Sequence, residues 1–180
     1  MINEKEGWAV GDEGLILHYT DGTWQEITGV TSGDLLAIDM LDTDDGWAIG
    51  ATDNILHYQN GNWQQIAPVL GGTKVDLWGI DMIDKQTGWA VGRDGLILRY
   101  QNGIWRPVDN PLTSDQLLTI AVPTISEAWA SGSRGDMLHY QNGNWQIADR
   151  PGSFGIQSIV MLNEYEGWAV GEGILRYTNK

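Results

Sequence analysis

Apolar and polar residues alternate along this chain in short runs, and Gly, Asn or Asp closes most of them. Alternation with a period of two is the pattern of half-buried strands, whose successive side chains point to opposite faces. No 11-residue window keeps a helical period without a Gly or Pro interrupting it, so the pattern predicts strands throughout. The clearest pair is Ile55-Leu56-His57-Tyr58 and Asn62-Trp63-Gln64-Gln65-Ile66, which flank Asn60-Gly61. Asn-Gly or Asp-Gly between β-prone runs predicts a type I′ hairpin, because both central residues need positive φ. The same signal stands at Asp21-Gly22, Asn102-Gly103 and Asn142-Gly143.

A second strand precedes each hairpin. Gly7-Trp8-Ala9-Val10-Gly11 puts Trp8 and Val10 on one face and leaves the other nearly bare, as suits a sheet pressed between two neighbours. Before that motif come apolar runs at 35–40, 77–82, 117–122 and 156–161, which read as innermost strands buried on both sides. Self-comparison shows that this unit recurs. The motif tryptophans are Trp8, Trp47, Trp89, Trp129 and Trp168, spaced by 39, 42, 40 and 39 residues. A second tryptophan follows the first four hairpin turns: Trp24, Trp63, Trp105 and Trp145. A four-stranded antiparallel unit repeated every 40 residues or so predicts an all-β protein, a β-propeller of about five blade units. A β-solenoid, the other home of repeated strands, has shorter repeats and lacks tight Asn-Gly hairpins. The repeats fall at about 1–28, 34–67, 76–109, 116–148 and 156–180 within one domain. Counted on this scheme, the first repeat lacks its inner strand and the last its outer one, giving 18 strands and incomplete terminal blades. Either one chain closes a five-bladed ring, or open blade edges pair between copies.

Composition narrows the partners. Ten Trp against one Phe fits a single Trp-bearing motif copied several times. With 10 Lys plus Arg against 24 Asp plus Glu the net charge is −14, which argues against nucleic acid or an anionic membrane surface. There is no apolar run of 18 residues, and residues 1–6 lead into no apolar stretch of the signal-peptide kind. Absence of cysteine excludes disulfides, thiol nucleophiles and Cys-based metal sites.

Nine tryptophans in fixed register read as packing between blades, since a buried indole removes about 150–250 Å² from water. Trp78 stands outside the register, where other repeats carry Leu36 and Leu118, and is the better ligand-contact candidate. His18, His57 and His139 share one position with Arg99 and Arg176, which points to a structural donor rather than a metal ligand. Asp42, Asp44 and Asp45 cluster in one turn but lack the rest of a calcium loop; no metal and no cofactor is expected. Asp39 and Asp81 occupy equivalent inner-strand positions and are candidates to line the central channel. The connections at 28–34, 67–75, 109–115 and 149–155 differ in length and chemistry, as do the turns after the Trp motif. Specificity resides on such variable loops, so this rim is the candidate binding face. Arg93 and Arg134 sit on corresponding turns of adjacent repeats, where they suit a carboxylate-bearing partner.

The succession Gly-Trp-Ala-Val-Gly, a Gly-containing turn, Ile-Leu-His-Tyr, Asp-Gly and Trp resembles the repeat of the photosystem II assembly and stability factors, propellers of the bacterial-neuraminidase-repeat type. The resemblance covers nearly the whole chain as repeat pattern. Full members of that family carry seven blades. The neuraminidase Asp-box is matched in no repeat. The resemblance implies a non-catalytic scaffold that binds a protein or peptide partner, like an assembly factor. The alternative is a lectin-like module with carbohydrate pockets between blades. A glycosidase would need a singular pair of carboxylates, or a Tyr with a carboxylate. Glu164-Tyr165-Glu166 is the one such cluster, and neighbours on a strand point apart, so no enzyme is expected.

Overall fold

A computed structural model describes residues 1–67, 74–109, 112–149 and 154–178. Among them, 18 strands form five separate antiparallel sheets, and no helix is long and apolar enough to cross a membrane. Blade 1 holds β1 (Glu6–Val10), β2 (Ile16–Thr20) and β3 (Thr23–Ile27). Blade 2 holds β4 (Leu35–Met40), β5 (Asp45–Gly50), β6 (Ile55–Gln59) and β7 (Asn62–Gln65). Blade 3 holds β8 (Leu77–Asp84), β9 (Thr87–Gly92), β10 (Ile97–Gln101) and β11 (Ile104–Pro107). Blade 4 holds β12 (Leu117–Thr124), β13 (Glu127–Gly132), β14 (Met137–Gln141) and β15 (Asn144–Ile147). Blade 5 holds β16 (Ile156–Asn163), β17 (Glu166–Gly171) and β18 (Ile174–Thr178). The strands of each blade pair in chain order, so the terminal sheets have three strands and the inner ones four, as the repeat predicts. The inner strands of blades 3, 4 and 5 run two residues beyond the apolar runs, because pairing continues to the turn before the Trp motif.

All four hairpins carry positive φ at both central residues: 47° and 92° at Asp21-Gly22, 53° and 80° at Asn60-Gly61, 51° and 88° at Asn102-Gly103, and 54° and 83° at Asn142-Gly143. That is the type I′ geometry, whose twist matches the strands it joins. The bare face of the Trp strand is needed for close approach. A Cβ on Gly46 would overlap the Met40 side chain, and one on Gly50 would overlap the Asp34 carbonyl oxygen.

Three apolar clusters hold the blades together, one at each junction from blade 1 to blade 4. At each junction the strand-two Trp of one blade meets the Tyr and Trp of the next. Trp8 packs on Tyr58 and Trp63, Trp47 on Tyr100 and Trp105, and Trp89 on Tyr140 and Trp145. The Trp–Trp contacts are edge-on, with centroids 5.4–5.5 Å apart, a favoured arrangement for ring quadrupoles. At the fourth junction Trp129 meets Tyr177 at 4.8 Å. Packing therefore runs from blade 1 through blade 5. Among the described residues no strand of blade 5 packs broadly on blade 1, and both end faces meet solvent. The five blades form an open arc rather than a closed five-bladed ring.

Candidate functional site: the variable rim and the inner strands

The turns that follow the Trp strands are held by carboxylates from the loops that lead into the inner strands. Asp34 accepts the Glu13 N–H at 2.9 Å, and Asp76 accepts the Thr52 N–H at 3.1 Å. Each of these bonds joins one blade's turn to the next blade's entry loop. The carbonyls of the same two residues accept Ala51 N–H and Arg93 N–H, both at 3.0 Å. Much of the acidity on this rim is thus structural.

Arg93 and Arg134 project from corresponding turns of blades 3 and 4. Arg93 is 53% exposed in its side chain and lies 3.4 Å from Asp76; Arg134 is 67% exposed and lies 3.3 Å from Asp115. Asp115 is itself buried. Burial opposes its charge, but the Arg134 N–H, the Ser133 hydroxyl and the Gln116 N–H outweigh that and hold its carboxyl below the usual range. Each guanidinium is therefore positioned by a fixed carboxylate while remaining open to solvent. Trp78 lies on the same rim, half-buried at the start of β8, where the pairing with β9 is interrupted between Leu77 and Gly79. The equivalent Leu36 is 43% exposed. Arg150, and the parts of the variable loops at 68–73, 110–111 and 150–153, lie outside the described residues.

Asp39 and Asp81 are placed on the blade faces of the inner strands. Asp39 reaches across to accept the Met82 N–H at 2.7 Å, and Asp81 accepts the Val122 N–H at 2.6 Å. Burial pushes both carboxyls up, with the backbone donors opposing it; for Asp81 the nearby Asp39 charge adds to the rise, which reaches about 7. Asp81 also borders a cavity of about 330 Å³ between the inner strands, lined by Ile120, Val122, Val160 and Met161 among others.

The in-register tryptophans do not share one environment. Trp47, Trp89 and Trp105 are at most 1% exposed, and Trp8, Trp63, Trp129 and Trp145 are buried. Trp24 and Trp168, on the outward faces of blades 1 and 5, are 47% and 38% exposed. The His/Arg position has a definite role that spacing alone did not show. His18, His57 and His139 stack flat on Trp8, Trp47 and Trp129 at 3.8–3.9 Å, and each bonds the carboxylate that opens the Trp strand: Glu6, Asp45 and Glu127. Arg99 and Arg176 lie over Trp89 and Trp168 in the same way, and Arg176 pairs with Glu166. The available signal was a Glu or Asp 12 residues before each histidine and Glu166 10 residues before Arg176; Arg99 has Thr87 at the corresponding place. In the turn at 42–45 the Lys85 ammonium lies 2.8 Å from Asp42, and this contact, first among several, lowers the Asp42 carboxyl. Among the described residues no group of three or more His, Asp or Glu is arranged to hold a metal. Tyr165 is exposed in the turn between β16 and β17.

The sheets and their junctions define a β-propeller arc. No protein-family model matches the chain, and no curated protein matches its sequence. Solved propellers match its fold. YCF48 from Cyanidioschyzon merolae superposes with TM-score 0.72 at 16% identity, over 96% of this chain and 63% of that one. The WD40 propeller domain of Doa1 gives 0.79 at 10% identity, over 99% and 62%. A catalytically inactive virginiamycin B lyase from Staphylococcus aureus, with quinupristin, gives 0.72 at 16%, over 99% and 72%. The chain spans a little over three-fifths of the first two. At these identities the likeness is one of fold; WD40 and lyase propellers are both among the matches.

Proposed function

We propose that this chain is a non-catalytic propeller scaffold that binds an extended, carboxylate-bearing peptide segment of a partner protein on its variable rim, in the manner of an assembly factor. The observation that carries the reading is the pair of exposed guanidiniums, Arg93 and Arg134, on corresponding turns of adjacent blades. Arginine's planar fork suits carboxylates, and Asp76 and Asp115 hold each fork in place before a ligand arrives. Trp78 and Leu36 supply apolar surface on the same rim. A solved structure of YCF48 bound to D1 peptide, matched at TM-score 0.55 and 17% identity, shows a propeller of similar fold with a peptide bound. The carbohydrate alternative gains less support, since seven of the nine in-register indoles are buried, and Trp8, Trp47 and Trp89 pack on the Tyr and Trp of the next blade.

Selection from a random peptide display library tests this. Enriched peptides are expected to carry Asp, Glu or a free C-terminal carboxylate. Arg93→Gln with Arg134→Gln is expected to weaken the best of them about tenfold or more, roughly 1.4 kcal/mol or above, with the melting temperature unchanged. Neutral replacements are preferable to reversal, because a Glu at 134 would face the buried Asp115. Unchanged affinity would remove this rim as the site, and binding on a glycan array without peptide enrichment would favour the carbohydrate reading.

A further inference from the structure

The junctions inside the arc follow one rule, and the two ends carry the two unmatched halves of it. At the blade 3–4 junction Trp89 lies under the Arg99 guanidinium at 5.0 Å and is sealed by Tyr140 and Trp145 to 1% exposure. The outward face of blade 5 repeats the first half. Trp168 lies under Arg176 at 5.5 Å, in a row with Val160, and Val170 and Ile174 extend the same face. These side chains are exposed by 38% (Trp168), 52% (Val160), 42% (Val170) and 73% (Ile174). The outward face of blade 1 repeats the second half. Tyr19 and Trp24 are cross-strand partners with centroids 5.2 Å apart and planes at 50°, against 5.2 Å and 45° for Tyr58 and Trp63, which seal Trp8. Trp63 is 9% exposed in that role, whereas Trp24 is 47% exposed.

We propose that these faces bind each other between copies: blade 5 of one chain docks on blade 1 of a second, head to tail, with Tyr19 and Trp24 of one copy closing over Trp168 of the other. The occupant is specified by the chain itself, because the Tyr-and-Trp surface that covers the equivalent Trp face at the first three junctions is the one that blade 1 presents. Such a contact is heterologous; it closes into a ring or continues as a filament according to the rotation between copies. Three aromatic and several aliphatic side chains place it on the order of 1,000 Å², the low end of specific interfaces. The net charge of −14 opposes association, so the measurement belongs at about 0.5 M salt, where that repulsion is screened.

Sedimentation velocity of the 180-residue chain over a concentration series provides the test. The parent is expected to form dimers or longer species as concentration rises. Trp24→Glu and Trp168→Glu each remove one face and are expected to be monomeric alone. Mixed, they are expected to form a one-to-one pair and nothing larger, since each retains the face the other lacks. Near-ultraviolet circular dichroism checks that each is folded, and Ile174→Glu, at a side chain 73% exposed, replaces Trp168→Glu if the latter is not. A parent that stays monomeric overturns the proposal. So does a parent that associates while the two variants fail to pair, because another surface would then be responsible.

Discussion

Replacing Trp47 with Ala is expected to destabilise the protein by about 3–5 kcal/mol, the usual loss for deleting a core aromatic, whereas Trp24→Ala is expected to cost less than about 1 kcal/mol. Both are among the nine tryptophans held in repeat register, and the sequence reads both as packing between blades. The structure does not. Trp47 is 1% exposed, stacks on His57 at 3.9 Å, and meets Tyr100 at 4.7 Å and Trp105 at 5.5 Å across the blade 2–3 junction. Deleting it leaves a hole bounded by sheets that cannot collapse without pulling the inner strands apart. Among the described residues its indole nitrogen has no hydrogen-bond partner, so its contribution comes from area and ring contacts. Trp24 is 47% exposed on an end face, and truncation there only enlarges an existing solvent boundary. Denaturant titrations of the two variants at low concentration decide the matter. Equal losses would mean that burial at the junctions is not what the tryptophans contribute.

Asp81→Asn is expected to raise stability at pH 8 by about 2 kcal/mol and to leave it nearly unchanged at pH 4. The Asp81 carboxyl titrates at about 7 in the fold, raised chiefly by burial, against an ordinary value of 3.8. Between those two values the folded state holds a proton that the unfolded chain has released. Stability contributed by the protonated form is therefore present at low pH and lost as pH rises from about 4 through about 7. A full three units would be roughly 4 kcal/mol at about 1.4 per unit, and residual solvent contact reduces it. Asparagine keeps an oxygen for the Val122 N–H, bonded at 2.6 Å in the parent, and removes the charge. With a domain of this size the gain corresponds to about 4–8 °C in Tm at pH 8. The difference between parent and variant isolates this residue from the remaining acidic groups. A difference that does not change between pH 4 and pH 8 would show that Asp81 does not titrate in this window.

The strands, their order within a blade, the type I′ turns and the three-stranded terminal sheets were legible in the sequence, because each rests on local physics. Positive φ at Asn60-Gly61 is a property of two residues, and the alternation in Ile55-Leu56-His57-Tyr58 is a property of four. Repetition multiplied those weak signals until the architecture was clear. The candidate rim was legible in part: variable loops marked it, and Arg93 and Arg134 stood out by charge. That each arginine is tied to a carboxylate from a neighbouring loop 17 or 19 residues away was not visible, since loop pairing depends on how the inner strands sit.

What only the tertiary structure decided is which surfaces have neighbours. Asp39 and Asp81 stood out in the sequence as candidates to line the channel; that each also reaches across to the backbone of the next blade, a contact between residues 43 and 41 positions apart, came only from the structure. Trp8 and Trp168 occupy the same place in nearly identical motifs, yet one is sealed and the other lies open. A repeat specifies its own strands by local preference, whereas burial is set by the blade beside it. The sequence by itself therefore determined the blade, and the stacking of blades decided which tryptophans pack, which carboxylates lose their water, and which two faces lie exposed.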